Sequence, residues 1–222
     1  IFENKKFPLR NCGAAVTEDE KYLIISETES TSGNSLHIKD LSKPNAPLVT
    51  LEAGFENDYG VVDHVNGKLY VITNWKASNQ QLMEVDPAKP ARENWKTILP
   101  ETENVLEGVS ILGGKIVAEY LQDASNHVYT YDFTGKKLAE VELPAIGTVG
   151  GFSGDKDDNE AFYTFTSFTF PPTIYRYDVA QNKSEVFRKT EVNFNPEDYV
   201  SEQQFYTSKD GTKVPMFITY KK

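Results

Sequence analysis

Hydrophobic and polar residues alternate in four similar segments of the chain, and each segment ends on an aspartate. The segments are Ser35–Asp40, Gln81–Asp86, His127–Asp132 and Thr173–Asp178. Each terminal aspartate follows the previous one by 46 residues. Alternation with a period of two is typical of a β-strand that is buried on one face. The even spacing therefore predicts four structural repeats that each contain such a strand.

Every repeat also contains three other strand-like runs at matching positions. The opening runs are Ala14–Thr17, Gly60–His64, Val105–Ile111 and Thr148–Phe152. The runs before the aspartate strands are Tyr22–Ser26, Leu69–Thr73, Ile116–Tyr120 and Ala161–Phe165, and the closing runs are Leu48–Leu51, Trp95–Leu99, Leu138–Val141 and Lys183–Phe187. Four short strands in a repeat of this length predict a β-propeller blade. We expect an all-β fold, a partial β-propeller of about four complete four-stranded antiparallel blades.

The repeated aspartate has a structural explanation. We expect its carboxylate to accept backbone N–H groups in the turn that leaves the third strand, as in the run from Asp40 to Lys43. A position that recurs in every repeat is a poor candidate for a single catalytic or metal site. The alternative all-β fold is a sandwich, and the fixed period argues against it because Greek-key connections do not repeat evenly.

The pattern changes after Thr190. The run Glu191–Asp198 contains Asn195-Pro196 and predicts a linker. Two strands follow, Val200–Thr207 and Lys213–Lys221, and Asp210-Gly211 between them is a strong hairpin signal. We expect residues 1–190 to form propeller blades as a partial domain, and residues 191–222 to form a linker and the first hairpin of a following domain. The chain is thus expected to be a piece of a longer protein.

Composition and charge exclude several classes of partner. The 222 residues carry a formal net charge of −10, and a negative surface repels phosphate groups, so we expect neither nucleic acid nor an anionic membrane as a partner. No apolar run approaches the ~18–20 residues of a membrane span. Cys12 is the single cysteine, which excludes an internal disulfide and leaves the compartment unknown.

No complete catalytic site can be read from the sequence. Ser153, in Gly151-Phe152-Ser153-Gly154, lacks the spacing of a nucleophile elbow, and the run Asp155–Glu160 lacks the glycine of a calcium loop. His37, His64 and His127 show no metal-ligand spacing. We expect strand and turn roles for these residues, blade packing for Trp75 and Trp95, and no metal or cofactor. A glycosidase-like pair of carboxylates stays open as an alternative.

The C-terminal hairpin resembles a known family. Its run Ser208–Ile218 is similar to the segment through which prolyl oligopeptidases leave the propeller and enter the hydrolase domain. Further matches are Tyr163-x-Phe165-Thr166-Ser167-Phe168, Gly150-x-x-Ser153-Gly154 and Val105-Leu106-Glu107. The resemblance covers essentially the whole chain.

The resemblance implies a cytosolic or periplasmic serine peptidase that cleaves short peptides after proline. In this family an α/β-hydrolase domain carries a Ser-Asp-His triad and is capped by a seven-bladed propeller. The triad lies downstream of the hairpin, so the chain alone is predicted to be inactive and to gate access of short proline-containing peptides to its own α/β-hydrolase domain. The alternative is a non-catalytic propeller that binds a protein or peptide partner.

Three residues match positions that line the substrate in mammalian members of the family. They are Asn11, Thr28 and Thr31, where those members have methionine, arginine and cysteine. All three residue types differ, and the last two matches depend on a one-residue gap. The residues are therefore expected either to form a polar substrate-lining rim or to be merely exposed. Because the end faces of an open propeller are apolar, we also expect the isolated chain to dimerise or to cover those faces in another way.

Overall fold

The computed structural model describes residues 2–193 and 195–222. Ile1, at the start of the N-terminal tail, and Phe194, in the predicted linker, lie outside the described residues. Helical structure in the described part is limited to two single 3-10 turns, Arg92–Asn94 and Pro196–Asp198. Among these residues, no helix has the length and apolar character that crossing a membrane requires.

Four antiparallel sheets of four strands confirm the predicted blades. Blade 1 contains β1 (Asn11–Val16), β2 (Tyr22–Thr28), β3 (Ser35–Asp40) and β4 (Val49–Glu52), and blade 2 contains β5 (Tyr59–Val65), β6 (Lys68–Thr73), β7 (Gln81–Val85) and β8 (Lys96–Leu99). Blade 3 contains β9 (Val105–Leu112), β10 (Lys115–Gln122), β11 (Ser125–Tyr131) and β12 (Lys137–Val141), and blade 4 contains β13 (Thr148–Ser153), β14 (Glu160–Thr166), β15 (Thr173–Asp178) and β16 (Lys183–Lys189). Within every blade, strands that are adjacent in sequence are hydrogen-bonded neighbours.

The blades form two compact units, residues 1–103 and residues 104–222, with two blades in each. In the first unit the facing sides of blades 1 and 2 share an apolar core that includes Leu36, Leu69 and Val85. In the second unit the facing sides of blades 3 and 4 share a core that includes Tyr163 and Tyr177. Pairwise packing of blades is what the repeat requires, because a single four-stranded sheet cannot bury both of its faces.

The four repeated aspartates have the predicted structural role. Each carboxylate accepts a backbone N–H from the turn after the third strand. The bonds are Ser42 N to Asp40 Oδ1 at 3.0 Å, Ala88 N to Asp86 Oδ1 at 2.9 Å, Thr134 N to Asp132 Oδ1 at 2.8 Å and Gln181 N to Asp178 Oδ1 at 2.8 Å. Local side-chain bonds of this kind fix a turn without tertiary support, which explains why the residue recurs.

A second repeated residue, an asparagine, joins neighbouring blades. Asn34 and Asn126 each stand six residues before a repeated aspartate. Asn34 Oδ1 accepts the backbone N–H of Tyr59 at 2.7 Å, and Asn126 Oδ1 accepts that of Val149 at 2.9 Å. Both asparagine amides therefore bond to the inner strand of the next blade. The sequence contained this signal, since the two positions are two repeat lengths apart.

The C-terminal hairpin pairs β17 (Tyr199–Thr207) with β18 (Lys213–Lys221), as predicted. Gly211 in its turn has a φ of 89°, a backbone conformation that glycine adopts without strain. One side of the hairpin contacts the second unit: Gln203 Nε2 donates to the carbonyl of Asp123 at 2.5 Å, and the rings of Phe217 and Phe168 lie 5.4 Å apart. The hairpin thus packs against the loops that join second to third strands in blades 3 and 4.

Candidate functional site

The three sequence-predicted site residues lie at one end of blade 1. Asn11, the first residue of β1, is the cross-strand partner of Thr28, the last residue of β2. Thr31 lies three residues further on, in the loop between β2 and β3. Asn11 and Thr31 are exposed and Thr28 is half-buried. The structure thus brings Asn11 and Thr28 together and places Thr31 on the adjoining loop; we call these three residues the blade-1 rim.

An arginine that the sequence reasoning did not single out lies beside the blade-1 rim. The guanidinium of Arg10 is 4.0 Å from the ring centroid of Phe7 and 4.5 Å from that of Phe55. Its Nε donates to Glu29 Oε1 at 2.8 Å. With two rings against its guanidinium and a hydrogen bond to a carboxylate, Arg10 links the end of β2 to the N-terminal segment and to the loop before β5.

Behind Arg10 lies the buried carboxylate of Glu27. Its Oε1 accepts the side-chain amide of Asn4 at 2.8 Å, and its Oε2 is 3.8 Å from Arg10 Nη1. Cys12 is the cross-strand partner of Glu27. Burial and the charge of Glu27 both raise the pKa of the Cys12 thiol, so this exposed cysteine is a weak nucleophile at neutral pH.

The rim loop is fixed by Gly33. Its φ is 76°, and its N–H donates to Asp58 Oδ1 at 2.7 Å. Asp58 in turn exchanges hydrogen bonds with Asn74, from Asp58 N to Asn74 Oδ1 at 2.8 Å and from Asn74 Nδ2 to Asp58 Oδ2 at 3.0 Å. The loop that carries Thr31 is therefore bonded to Asp58, just before β5, and through Asp58 it is linked to Asn74, just after β6. No local sequence pattern predicts the positive φ of Gly33 or its hydrogen bond to Asp58, because both depend on the packing of blade 1 against blade 2.

The histidines named in the sequence analysis have structural roles. His64 is buried between blades 1 and 2, and its Nδ1 is 2.6 Å from Asp19 Oδ2. Burial alone would raise the pKa of Asp19, but hydrogen bonds from His64, Thr17 and the Lys21 N–H lower it to about 2. His37 lies in β3 and contacts Ser35 and Thr50, and burial lowers its pKa.

Ser153 ends β13, and the run Asp155–Glu160 forms the turn into β14, as predicted. Trp95 is buried in the core between blades 1 and 2, and Trp75 packs against that core. Within residues 2–193 and 195–222, no group of three His, Cys, Asp or Glu side chains is arranged to hold a metal ion. In the described part of the chain, the blade-1 rim is a polar surface held in place by hydrogen bonds to neighbouring residues. Such a surface can contact a ligand through hydrogen bonds.

Comparisons with known proteins agree with the fold. The sequence model of the family described as "Prolyl oligopeptidase, N-terminal beta-propeller domain" matches residues 1–190. The prolyl endopeptidase of Elizabethkingia meningoseptica is 43% identical over 222 residues, which cover 100% of this chain and 31% of that protein. Prolyl oligopeptidase ophP of Omphalotus olearius is 31% identical over 230 residues, which cover 99% of this chain and 31% of that protein.

Two solved structures extend the similarity to three dimensions. One, from a study of inter-domain dynamics in two prolyl endopeptidases, superposes with a TM-score of 0.87 at 39% identity and covers 99% of this chain and 32% of that one. The other is apo prolyl oligopeptidase B from Galerina marginata, with a TM-score of 0.90 at 26% identity, covering 100% of this chain and 32% of that one. This chain spans about a third of the length of these relatives.

Proposed function

Because this chain belongs to the prolyl oligopeptidase family, as part of its N-terminal β-propeller, we propose that it gates access of short proline-containing peptides to a serine-type catalytic domain carried elsewhere in a longer protein. The observation that carries the proposal is the joint presence of four propeller blades and a hairpin that is not part of any blade. Residues 1–190 are proposed to be the propeller portion and residues 191–222 the linker and first hairpin of the catalytic domain.

The outer side of the hairpin supports the proposal that residues 191–222 belong to a following domain. Cross-strand pairing places six apolar or aromatic residues and two polar ones on one face: Val200, Tyr206, Val214, Met216, Ile218 and Tyr220, with Glu202 and Gln204. The side that contacts the blades carries Gln203 and Phe217 instead, so this face points away from them. Met216, Ile218 and Tyr220 are 40–46% exposed. A two-stranded ribbon is marginally stable unless its apolar face is covered, and a following domain would cover it. Dimerisation of the isolated chain, which would cover the end faces of its first and last blades, stays a prediction.

Activity measurements test the proposal. We expect the isolated chain to leave a chromogenic Gly-Pro amide uncleaved, and a longer protein that continues this chain into a hydrolase domain to cleave it. A serine-directed inhibitor should abolish the cleavage. Cleavage by the isolated chain would contradict the proposal and favour a catalytic propeller. Absence of cleavage by the longer protein would favour the alternative, a propeller that only binds a partner.

The blade-1 rim is proposed to contact residues of the substrate on the N-terminal side of proline. In the longer protein, the double change Asn11→Ala and Thr28→Ala should lower kcat/KM for a peptide that extends several residues before proline, by roughly fivefold for a lost contact of ~1 kcal/mol. A bare Gly-Pro amide, which is too short to reach the rim, should be cleaved as before. Equal losses for both substrates would show that the two side chains act on stability and not on the substrate.

A further inference from the structure

The innermost strand of blade 4 is irregular. In β13, the ladder to β14 is interrupted between Gly150 and Ser153. Gly151, inside the interruption, has a φ of 42°. The backbone of Phe152 is therefore turned away from its own blade, and its N–H and C=O groups need partners elsewhere. Such bulges leave backbone groups unpaired unless a neighbour supplies a partner.

Two side chains of blade 3 supply those partners. The N–H of Phe152 donates to Glu119 Oε1 at 3.3 Å, and the hydroxyl of Ser110 donates to the carbonyl of Phe152 at 2.7 Å. The Phe152 ring is stacked on Tyr163 in the core, with centroids 4.5 Å apart. One buried carboxyl group thus bonds directly to the strand that, in a propeller, lines the central channel.

The surroundings of Glu119 disfavour a negative charge. Its side chain belongs to a residue that is only 7% exposed. The carboxylate of Glu107, on the neighbouring strand β9, repels a negative charge on Glu119. Glu107 Oε2 accepts a hydrogen bond from the side-chain amide of Asn126 at 2.8 Å. Among the buried residues that blade 4 contributes to the core shared with blade 3, the titratable ones are Tyr163, Tyr175 and Tyr177.

We propose that Glu119 is a proton-controlled latch between blades 3 and 4, which holds the bulged strand β13 closed while it is neutral and loosens it when it ionises. Ionisation strengthens the single hydrogen bond from Phe152. Ionisation also places a negative charge in a buried position between blades 3 and 4, near the carboxylate of Glu107. The free-energy cost of burying that charge is larger than the gain from the stronger hydrogen bond.

The direction of the pH dependence follows from the same geometry. Burial raises the pKa of Glu119 most; the hydrogen bond from the Phe152 N–H opposes this rise, and the charge of Glu107 adds a smaller increase. A folded-state pKa above the unfolded value means that this contribution to stability is complete at low pH. The contribution is lost as the pH rises through the raised pKa, so the latch is closed under acidic conditions and loosens towards neutral and alkaline pH.

Hydrogen exchange of the Phe152 amide tests the latch without any assay of peptidase activity, so its outcome is independent of the proposed function. In the unmodified chain, we expect the protection factor, corrected for intrinsic exchange, to fall by about fivefold or more between roughly pH 4.5 and pH 8. In Glu119→Gln the protection should not change with pH. The amide of Tyr59 is the matched control, because its partner is the neutral side chain of Asn34, and its protection should be constant.

A second variant keeps the test decisive if Glu119→Gln fails to fold. Glu107→Gln removes the neighbouring charge but keeps a hydrogen-bonding oxygen for Asn126. We expect it to shift the fall in Phe152 protection to lower pH, because Glu119 then ionises more easily. The proposal is overturned if protection is constant in the unmodified chain, if Glu119→Gln retains the pH dependence, or if Glu107→Gln leaves its midpoint unchanged.

Discussion

Gly33→Ala is expected to lower the thermal unfolding midpoint of the first unit by roughly 14–23 °C, from a loss of about 3–5 kcal/mol. A β-carbon at Gly33 would lie 1.8 Å from the carbonyl oxygen of Phe55. That neighbour is backbone, so it cannot turn aside as a long side chain would. The φ of 76° adds a strain of ~1–2 kcal/mol for any residue with a β-carbon.

Gly67→Ala is the matched control for this change. Gly67 has a φ of 78°, yet an added β-carbon there would meet no heavy atom within 4 Å. It therefore carries the backbone strain without the collision, and its midpoint should fall by only ~5–9 °C. Calorimetry of the two variants separates the two effects. Equal losses in Gly33→Ala and Gly67→Ala would show that the close approach of Phe55 does not limit residue 33.

The Gly33→Ala change also bears on the blade-1 rim. The Gly33 N–H donates to Asp58, and that bond fixes the loop on which Thr31 lies. If the loop moves to relieve the collision, hydrogen exchange of the amide of residue 33 should be faster in Gly33→Ala, even where the rest of blade 1 stays folded. In a longer, active protein, the loss in kcat/KM should then be confined to peptides long enough to reach the rim.

Arg92→Ala is expected to destabilise the first unit by about 2–3 kcal/mol, the second large effect. The Arg92 guanidinium lies 3.8 Å from the ring centroid of Trp95, 4.8 Å from that of Tyr59 and 4.9 Å from that of Trp75. Its Nη2 also donates to Glu52 Oε2 at 2.6 Å. Since Glu52 ends β4 and Arg92 precedes β8, this ion pair joins the outer strands of blades 1 and 2.

The conservative change Arg92→Lys separates the charge from the flat guanidinium. Lysine restores the charge beside Glu52 but not the planar group that stacks on the rings, so we expect it to recover about half of the loss. Arg176→Ala is the control: Arg176 pairs with Glu160 and Glu185, but its side chain is 46% exposed. An exposed pair contributes ~0–1 kcal/mol. The cage of rings has no special role if Arg92→Ala costs no more than Arg176→Ala in urea titrations.

The Arg92 effect should also depend on pH. Burial raises the pKa of Glu52, but the N–H groups of Gly54 and Ala53 and the Arg92 guanidinium together hold it below its ordinary value. A depressed folded-state pKa stabilises the protein above the unfolded value, ~4.3 for glutamate, and the contribution is lost as the pH falls through the depressed pKa. The stability difference between the unmodified chain and Arg92→Ala should therefore be largest above about pH 5 and shrink in acid.

The agreement between predicted and observed strands was close because propeller blades are built from local pairings. Each strand pairs with its sequence neighbour, so alternation, turn residues and the repeat length carry most of the information. The main discrepancy is β1, predicted at Ala14–Thr17 and observed at Asn11–Val16. Its exposed residues lack alternation, and pairing with β2 as far as Thr28 determines where it begins.

Prediction of the candidate site was less complete. The family resemblance selected Asn11, Thr28 and Thr31, and the register of β1 on β2 shows that the first two are neighbours. It did not select Arg10 or Gly33, which support that rim. Their partners, Phe55 and Asp58, lie in the loop before β5. The sequence of one repeat does not show which of its side chains contact the next blade.

The sequence by itself determined the all-β blade architecture, the turns formed by the repeated aspartates and the hairpin beyond the blades. These features depend on period and on interactions between residues a few positions apart. Only the tertiary structure decided the contacts between neighbouring blades: His64 against Asp19, Arg92 against Glu52, and Glu119 on the backbone of Phe152. The physical reason is that these contacts join residues 33 to 45 positions apart whose identities do not recur in the other repeats. Their energies arise from burial and close packing between blades, which only the folded chain creates.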